Sequence, residues 1–212
     1  MKDANGPLYA FADPVQRLWD WAPNEPPVSF GTRFRLRRNC RNSRWIAKTS
    51  AHLANATSDV FRQAPLGGKP MIDVVPTMAG MKGAVLTTVA RLLREHSLLP
   101  SQIVLIGSRS FGKGSLAQLT EIAGVGLTDS IPKWRQGDGI LVTTARSFKG
   151  LEADAVVVYD LEETSQTFTM IDLYVACTRG RSHLHFLVTG KQLASSVREA
   201  LANAELEMTA KG

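Results

Sequence analysis

The amino-acid sequence predicts an α/β domain in which helices flank a parallel β-sheet. Short apolar runs alternate along the chain with amphipathic stretches, which is the pattern of repeated strand–helix units. Several of these runs are continuously apolar, as expected for strands that are covered on both faces. The 212 residues are 44% hydrophobic and 21% charged, which suits a soluble globular chain with a core of its own.

Strands are predicted where a short apolar run lies between turn residues. In chain order these runs are Leu8–Phe11, Phe34–Leu36, Met71–Val75, Ile103–Ile106, Ile140–Thr143, Ala155–Tyr159 and Leu184–Val188. Prolines at 23, 26 and 27 indicate an extended linker after the first run, because a residue before proline avoids the helical region.

Helices are predicted between the strands. The clearest is residues 80–97, where apolar side chains recur at helical spacing on one face, and Pro100 ends it. The other predicted helices are residues 43–54, 113–123, 170–180 and 191–206. Residues 124–138 contain Pro132, Gly137 and Gly139, and we expect them to be irregular.

Several features of the sequence indicate the cellular compartment in which we expect the protein. No run approaches the roughly 18 apolar residues of a membrane-spanning helix. The N-terminal residues lack the apolar core of a secretory signal. The two cysteines, Cys40 and Cys177, fit a reducing compartment and form no metal-type cluster. We therefore expect a cytoplasmic protein with no membrane partner and no metal ligands of its own.

The basic charge is concentrated in one segment. The formal net charge is +6. Arginines stand at positions 33, 35, 37, 38, 41 and 44, within twelve residues. Clustered arginine suits bidentate contacts with phosphate, so a polyanion partner is favoured over a bland basic surface.

Two segments in the C-terminal half carry candidate chemistry. Residues 149–152, Lys-Gly-Leu-Glu, form a polar loop between two core strands, at a sheet edge of the kind where α/β proteins bind ligands. Residues 173–181 form an apolar helical stretch that ends in Thr-Arg-Gly-Arg. Residues 149–152 could instead be an ordinary exposed turn. The arginines of residues 173–181 could instead be cations that interact favourably with the C-terminus of a helix.

Two more segments lie in the N-terminal half. Residues 36–43 place basic residues before an amphipathic helix that Asn42 or Ser43 could cap. Residues 8–19 combine an apolar strand with Asp-Pro and a glutamine three residues after the aspartate. Residues 36–43 could instead be the start of a capped helix with a solvated basic face. Residues 8–19 could instead be a strand followed by an Asp-Pro turn.

Taken in chain order, the four segments resemble motifs III, IV, V and VI of superfamily I (UvrD/Rep-like) nucleic-acid helicases. FADPVQRLW looks like the G-D-x-x-Q segment of that family, and NCRNS looks like its N-Y-R-S segment. TARSFKGLE is similar to T-x-H-x-x-K-G-L-E, and LYVACTRGR is similar to Y-V-A-x-T-R-A. The resemblance extends from about residue 8 to residue 181.

The resemblance implies a RecA-like parallel sheet flanked by helices, as in the second motor domain of these helicases. Residues 1–28 would then carry the motif III-like strand and a linker from the first motor domain, and residues 29–212 would form the C-terminal RecA-like domain. Arg41 and Arg179 would be arginine fingers on the γ-phosphate of ATP, and Gln16 would sense that phosphate.

The remaining site residues are implied in the same way. Glu152 would contact the nucleotide sugar, Lys149 and Gly150 would shape the loop at the cleft, and Cys40 would lie beside the nucleotide base. Thr144 and Arg146 would face the nucleic-acid backbone. Trp19, or Trp21, could stack on a base, with core packing as the alternative.

The sequence also departs from the family pattern. Cys40 stands where tyrosine is usual, Arg146 where histidine is usual and Ala12 where glycine is usual. No G-x-x-x-x-G-K-[ST] string occurs, and FGKGSL at 111–116 has the wrong glycine spacing to cradle phosphates, so a basic helix start is expected there.

The resemblance therefore predicts part of an ATP-dependent DNA helicase or translocase. ATP and Mg²⁺ would be bound mainly by the first motor domain, which carries the Walker A and B motifs and would be a partner. The other partner would be single-stranded or partly duplex DNA, with RNA not excluded. The chain alone should not hydrolyse ATP. The alternatives are a stand-alone module, derived from a truncated helicase, that binds nucleic acid or a protein, and an unrelated basic α/β domain.

Overall fold

A computed structural model describes residues 38–57, 59–162 and 168–210 of the chain. Its central feature is a seven-stranded sheet with the order β3-β9-β8-β4-β7-β6-β5. All neighbouring strands are parallel except β5 and β6, which are antiparallel. A second sheet consists of the short parallel strands β1 and β2.

The strands are β1 Arg38–Asn39, β2 Asp59–Val60, β3 Met71–Val74, β4 Ile103–Gly107, β5 Glu121–Ile122, β6 Val125–Thr128, β7 Ile140–Thr144, β8 Ala153–Glu162 and β9 Gly180–Thr189. The helices are α1 Arg44–Leu53, α2 Met78–Arg94, α3 Ile131–Arg135, α4 Met170–Cys177 and α5 Lys191–Thr209. Single 3₁₀ turns occur at Pro100–Gln102 and Phe111–Lys113.

Both faces of the large sheet are covered. Helices α1, α4 and α5 pack on the face that carries Val156 and Val158 of β8, and α2 packs on the face that carries Ala155 and Val157. Successive side chains of a strand point to opposite faces, so a strand covered on both sides must be apolar at every position. This requirement explains the continuous apolar runs of β4, β7 and β8, and it confirms the predicted α/β fold.

The loop between β7 and β8 crosses the sheet without forming a helix. The two strands are parallel and lie on either side of β4, so residues 145–152 must return from the end of one to the start of the other. Phe148 anchors this return, since it is fully buried and meets Trp134 edge-on with ring centroids 5.6 Å apart. The Trp134 indole N–H donates to the carbonyl of Ile103 at 3.2 Å, which holds the pair against β4.

Most predicted elements are present, with ends that differ by a few residues. The predicted helix over 113–123 is wrong, because this segment contains a 3₁₀ turn at Phe111–Lys113 and the strand β5. The amide and hydroxyl of Ser115 both donate to the carboxylate of Asp160, so the backbone at Ser115 is held by a side chain instead of by a helical bond. Gly112 and Gly114 further disfavour a helix.

Residues 124–138 are more regular than expected. They form β6 and the short helix α3, which starts with proline near its N-terminus. The predicted strands Leu8–Phe11 and Phe34–Leu36 and the prolines of the linker lie outside the described residues.

Candidate functional site

The predicted site residues that the structure describes lie at two opposite edges of the large sheet. We call the edge where β8 and β9 begin the amino edge, and the edge where β4 and β7 end the carboxyl edge. At the amino edge, Ala153 pairs with Gly180, and the Ala153 amide donates to the carbonyl of Arg179 at 3.0 Å. The residues that immediately precede the two strands, Glu152 and Arg179, are therefore neighbours along this edge.

The segment that precedes α1 joins the same edge. The side chain of Arg41 forms an ion pair with Glu152, and the two side chains are 45% and 35% exposed. The Ser43 amide donates to the carbonyl of Arg181 at 2.8 Å, which attaches the start of α1 to the start of β9. Residues from three segments that are far apart in sequence thus meet at one place.

Arg179 is placed differently from Arg41. Its side chain is buried, with 2% of the residue exposed. The guanidinium donates to the carbonyl of Val175 at 3.1 Å and to the hydroxyl of Thr178 at 3.0 Å. The guanidinium is thus directed onto its own helix, α4, whereas the Arg41 side chain reaches the surface.

The three other predicted nucleotide-side residues line the same region. Cys40 is exposed directly before Arg41, and it forms no disulfide with Cys177, which is buried in α4. Lys149 and Gly150 are exposed at the end of the loop that leads to Glu152. Gly150 has a φ of +88°, so a side chain there would be strained although there is room for a Cβ.

The carboxyl edge carries the two residues predicted to face nucleic acid. Thr144 ends β7, and its hydroxyl exchanges hydrogen bonds with Ser147: it donates to Oγ at 3.1 Å and accepts from the amide at 3.3 Å. Arg146 is partly exposed and pairs with Asp172 at 3.2 Å. Both residues line a cavity of about 120 Å³, together with Ser108, Ala145, Phe168 and Asp172.

Asp172 is a residue of this edge that the sequence interpretation missed. It is buried, and its second oxygen accepts from the amide and the hydroxyl of Thr169, each at 2.8 Å. Asp172 therefore fixes the start of α4 and holds Arg146 at the same time. The Thr-x-x-Asp spacing of a capping box, at residues 169–172, is the signal in the sequence that could have found it.

A second missed residue, Asp160, shapes the loop that follows β4. It is buried and accepts from the amide of Ser115 at 2.8 Å and from the Ser115 hydroxyl. The neighbouring Tyr159 fills the space beside Gly107, where a Cβ would lie 2.7 Å from the tyrosine ring. Burial, and then the charge of Asp160, raises the pKa of the Tyr159 hydroxyl. No local pattern in the sequence reveals this arrangement, because the contacts join distant segments.

The positions of the two groups correct one expectation. The loop of residues 149–152 was expected at the sheet edge where α/β proteins bind ligands, which is the carboxyl edge. Glu152 instead lies at the amino edge, because residues 145–152 carry the chain back across the sheet before β8 begins. Of the predicted site residues that the structure describes, Thr144 and Arg146 lie at the carboxyl edge. Gln16 and Trp19 lie outside the described residues.

Among residues 38–57, 59–162 and 168–210, no group of three or more His, Cys, Asp or Glu side chains could hold a metal ion. None of the helices in the described ranges is both long and apolar enough to cross a membrane.

Comparison with known proteins supports the fold. The chain is similar to the crystal structure of the C-terminal domain of a possible DNA helicase from Lactobacillus plantarum WCFS1, with a TM-score of 0.55 and 22% identity. The similarity covers 76% of this chain and 95% of the other. No family model and no curated protein matches the sequence. At this identity the likeness shows a shared α/β, RecA-like fold.

Proposed function

We propose that this chain is the second motor domain of an ATP-dependent DNA helicase or translocase. The observation that carries the proposal is the amino edge, where Arg41, Glu152 and the turn that contains Arg179 meet although they come from three separate segments. These residues match motifs IV, V and VI in the resemblance. The shared fold with a domain of a possible DNA helicase supports the same conclusion.

The chemistry of this edge suits a phosphate group. A guanidinium donates in a planar fork that matches phosphate oxygens and stays charged at every relevant pH. In the assembled motor, Arg41 and Arg179 would stabilise the negative charge that develops on the transferred γ-phosphoryl group. Gln16 would sense that group from the segment before the described residues.

The two arginines differ in how easily they can reach such a ligand. An ion pair between partly exposed side chains contributes only about 0–1 kcal/mol, so Arg41 can exchange Glu152 for a phosphate at little cost. Arg179 must leave buried hydrogen bonds to Val175 and Thr178, which costs more. We infer that Arg41 contacts the nucleotide first and that Arg179 turns outward only when the two motor domains close.

Glu152, once released, would be positioned for the nucleotide sugar, with Lys149, Gly150 and Cys40 around the base and the cleft. Mg²⁺ prefers carboxylate and water oxygens. In the described residues this edge offers the carboxylate of Glu152, which already pairs with Arg41. We therefore assign Mg²⁺, and most of the ATP contacts, to the first motor domain that carries the Walker A and B motifs.

The carboxyl edge would form part of the track for a single strand of DNA. Thr144 offers a hydroxyl, and Arg146 offers a guanidinium that Asp172 holds in place. Such groups bind the sugar–phosphate backbone without reading the base sequence, so RNA remains an alternative ligand. Trp19 would add a stacking ring from outside the described residues.

The proposal is tested by ATP turnover of the chain joined to its first motor domain. Arg41→Ala should lower turnover by about 10³-fold, which is the lower end of the effect of an arginine finger. Arg44→Ala is the matched control, because Arg44 is an exposed arginine at the start of α1 and should leave turnover within about twofold. Equal turnover of wild type and Arg41→Ala would refute the proposed role. The chain alone should show no turnover.

A second candidate function is a stand-alone module that binds nucleic acid or a protein. The buried guanidinium of Arg179 favours it, because this side chain already has hydrogen-bond partners within its own helix. The test is binding of a fluorescent single strand to the chain alone at two salt concentrations. Tight binding that weakens steeply with salt would favour the module, whereas half of a motor track should bind weakly.

A further inference from the structure

The side chain of Asn42 lies buried between the two turns that carry the arginines of the amino edge. Its amide nitrogen donates to the carbonyl of Thr178 at 3.0 Å and to that of Gly180 at 2.5 Å. These are the carbonyls on either side of Arg179. One side chain therefore uses both of its N–H groups to hold the turn that contains Arg179.

The other end of Asn42 connects to the turn that contains Arg41. Its Oδ1 accepts from the side chain of Asn39 at 2.9 Å. The Oδ1 of Asn39 in turn accepts from the amides of Arg41 and Asn42, each at 3.1 Å. A continuous chain of hydrogen bonds thus leads from the backbone of Arg41, through two asparagines, to the backbone that flanks Arg179.

The buried position of Asn42 is not explained by a role in starting helix α1. The N-cap position is Ser43, and neither it nor Asn42 provides a side-chain cap bond to the helix, contrary to the capping expected from the sequence. Helix α1 also packs closely on the turn, since a Cβ at Gly180 would lie 3.5 Å from Ile46. A buried amide is stable only when its donors and acceptor are satisfied, and the two arginine-bearing turns satisfy them here.

We propose that Asn42 is a positioning residue that locks the backbone of the Arg179 turn to that of the Arg41 turn, so that Arg179 starts from a fixed place beside the ligand that Arg41 contacts first. The inference rests on the proposed function. Serine could supply one donor at this place and aspartate none, whereas asparagine supplies the two that Thr178 and Gly180 require. Asn42 acts through the arginines and has no contact with the ligand itself.

The test is a double-mutant cycle on ATP turnover of the chain joined to its first motor domain. Asn42→Ala should lower turnover at saturating ATP by about tenfold, which is the change in rate that corresponds to the free energy of about one hydrogen bond. In an Arg179→Ala background, Asn42→Ala should cause no further loss, because the residue it positions is gone. Asn42→Asp should lower turnover at least as much as alanine, since it keeps the size, loses both donors and turns a carboxylate oxygen towards the two carbonyls.

Ser50→Ala is the matched control. It removes a buried side-chain hydrogen bond within α1, from the Ser50 hydroxyl to the carbonyl of Ile46 at 2.7 Å. It should lower the melting temperature less than Asn42→Ala does and leave turnover per folded molecule unchanged. If Asn42→Ala fails to fold, Asn39→Ala interrupts the same chain at its other end, and its effect should vanish in an Arg41→Ala background.

The outcomes separate the two claims. Suppose that Arg179→Ala lowers turnover, but that Asn42→Ala causes the same loss in wild type as in the Arg179→Ala background, or causes no loss in wild type. Asn42 then has only a structural role, and this inference is wrong while the proposed function stands. If Arg41→Ala and Arg179→Ala both leave turnover unchanged, the proposed function fails and the positioning role fails with it. A loss that disappears in the arginine backgrounds supports both.

Discussion

His185 should make the stability of this domain depend on pH between about 6.5 and 4. It lies in β9 on the face packed by α2 and is only 3% exposed. Arg91 of α2 approaches its Nδ1 at 3.3 Å. Burial, then the charge of Arg91, then those of His183 and His96 lower the pKa of His185 from 6.5 to about 4.

The sign follows from which state binds the proton more tightly. The pKa of His185 is lower in the folded chain. As pH falls below 6.5, His185 therefore binds a proton in the unfolded chain but stays unprotonated in the folded chain. The stabilisation is therefore fully present above pH 6.5 and is lost as pH falls towards 4. The difference between 6.5 and about 4 corresponds to about 3 kcal/mol of unfolding free energy, at about 1.4 kcal/mol for each pH unit.

The assay is urea unfolding at pH 7 and pH 4, followed by fluorescence, for wild type and His185→Gln. Glutamine keeps an acceptor for Arg91 but does not titrate. Carboxylates titrate alike in both proteins, so the wild type should lose about 3 kcal/mol more than the variant. His183→Gln is the comparison variant and should reduce the loss less than His185→Gln does, because Asp154 opposes the lowering of the His183 pKa. Equal losses in wild type and His185→Gln would refute the reasoning.

Three further predictions concern stability. Phe148→Ala should cost about 3–5 kcal/mol in urea unfolding, because it empties the buried contact with Trp134 that anchors the return loop; a cost below 1 kcal/mol would contradict this. Asp160→Ala should cost about 1.5–3 kcal/mol and speed amide exchange at Ser115, whose hydrogen bonds to a charged acceptor it removes; unchanged exchange would count against it. Asp172→Ala should cost at least about 1 kcal/mol in thermal unfolding, since a helix cap is lost; an unchanged melting temperature would disprove it.

Much of the fold could be predicted because its signals are local. The period of apolar residues placed α2 within a few residues of its ends, and continuous apolar runs located β4, β7 and β8. The helix predicted over residues 113–123 failed in part because the amide of Ser115 donates to the side chain of Asp160, 45 residues away in sequence, and no local pattern reports such a partner.

The candidate site, like the fold, was predicted from the sequence only in part. Motif order alone named Arg41, Glu152 and Arg179 as members of one site, but only the structure shows that Arg41 pairs with Glu152 and that Arg179 is buried. The roles of these residues, and those of Gln16 and Trp19, stay predictions.

The sequence by itself thus determined the class of fold and the order of most elements, and it predicted the residue types of the candidate site, because periodicity and motif spacing are properties of neighbouring residues. The tertiary structure decided which edge of the sheet each residue occupies and what holds it there. The physical reason is the direction of the chain: the return of residues 145–152 across the sheet separates Thr144 from Glu152, and Asn42 joins two turns that only folding brings together.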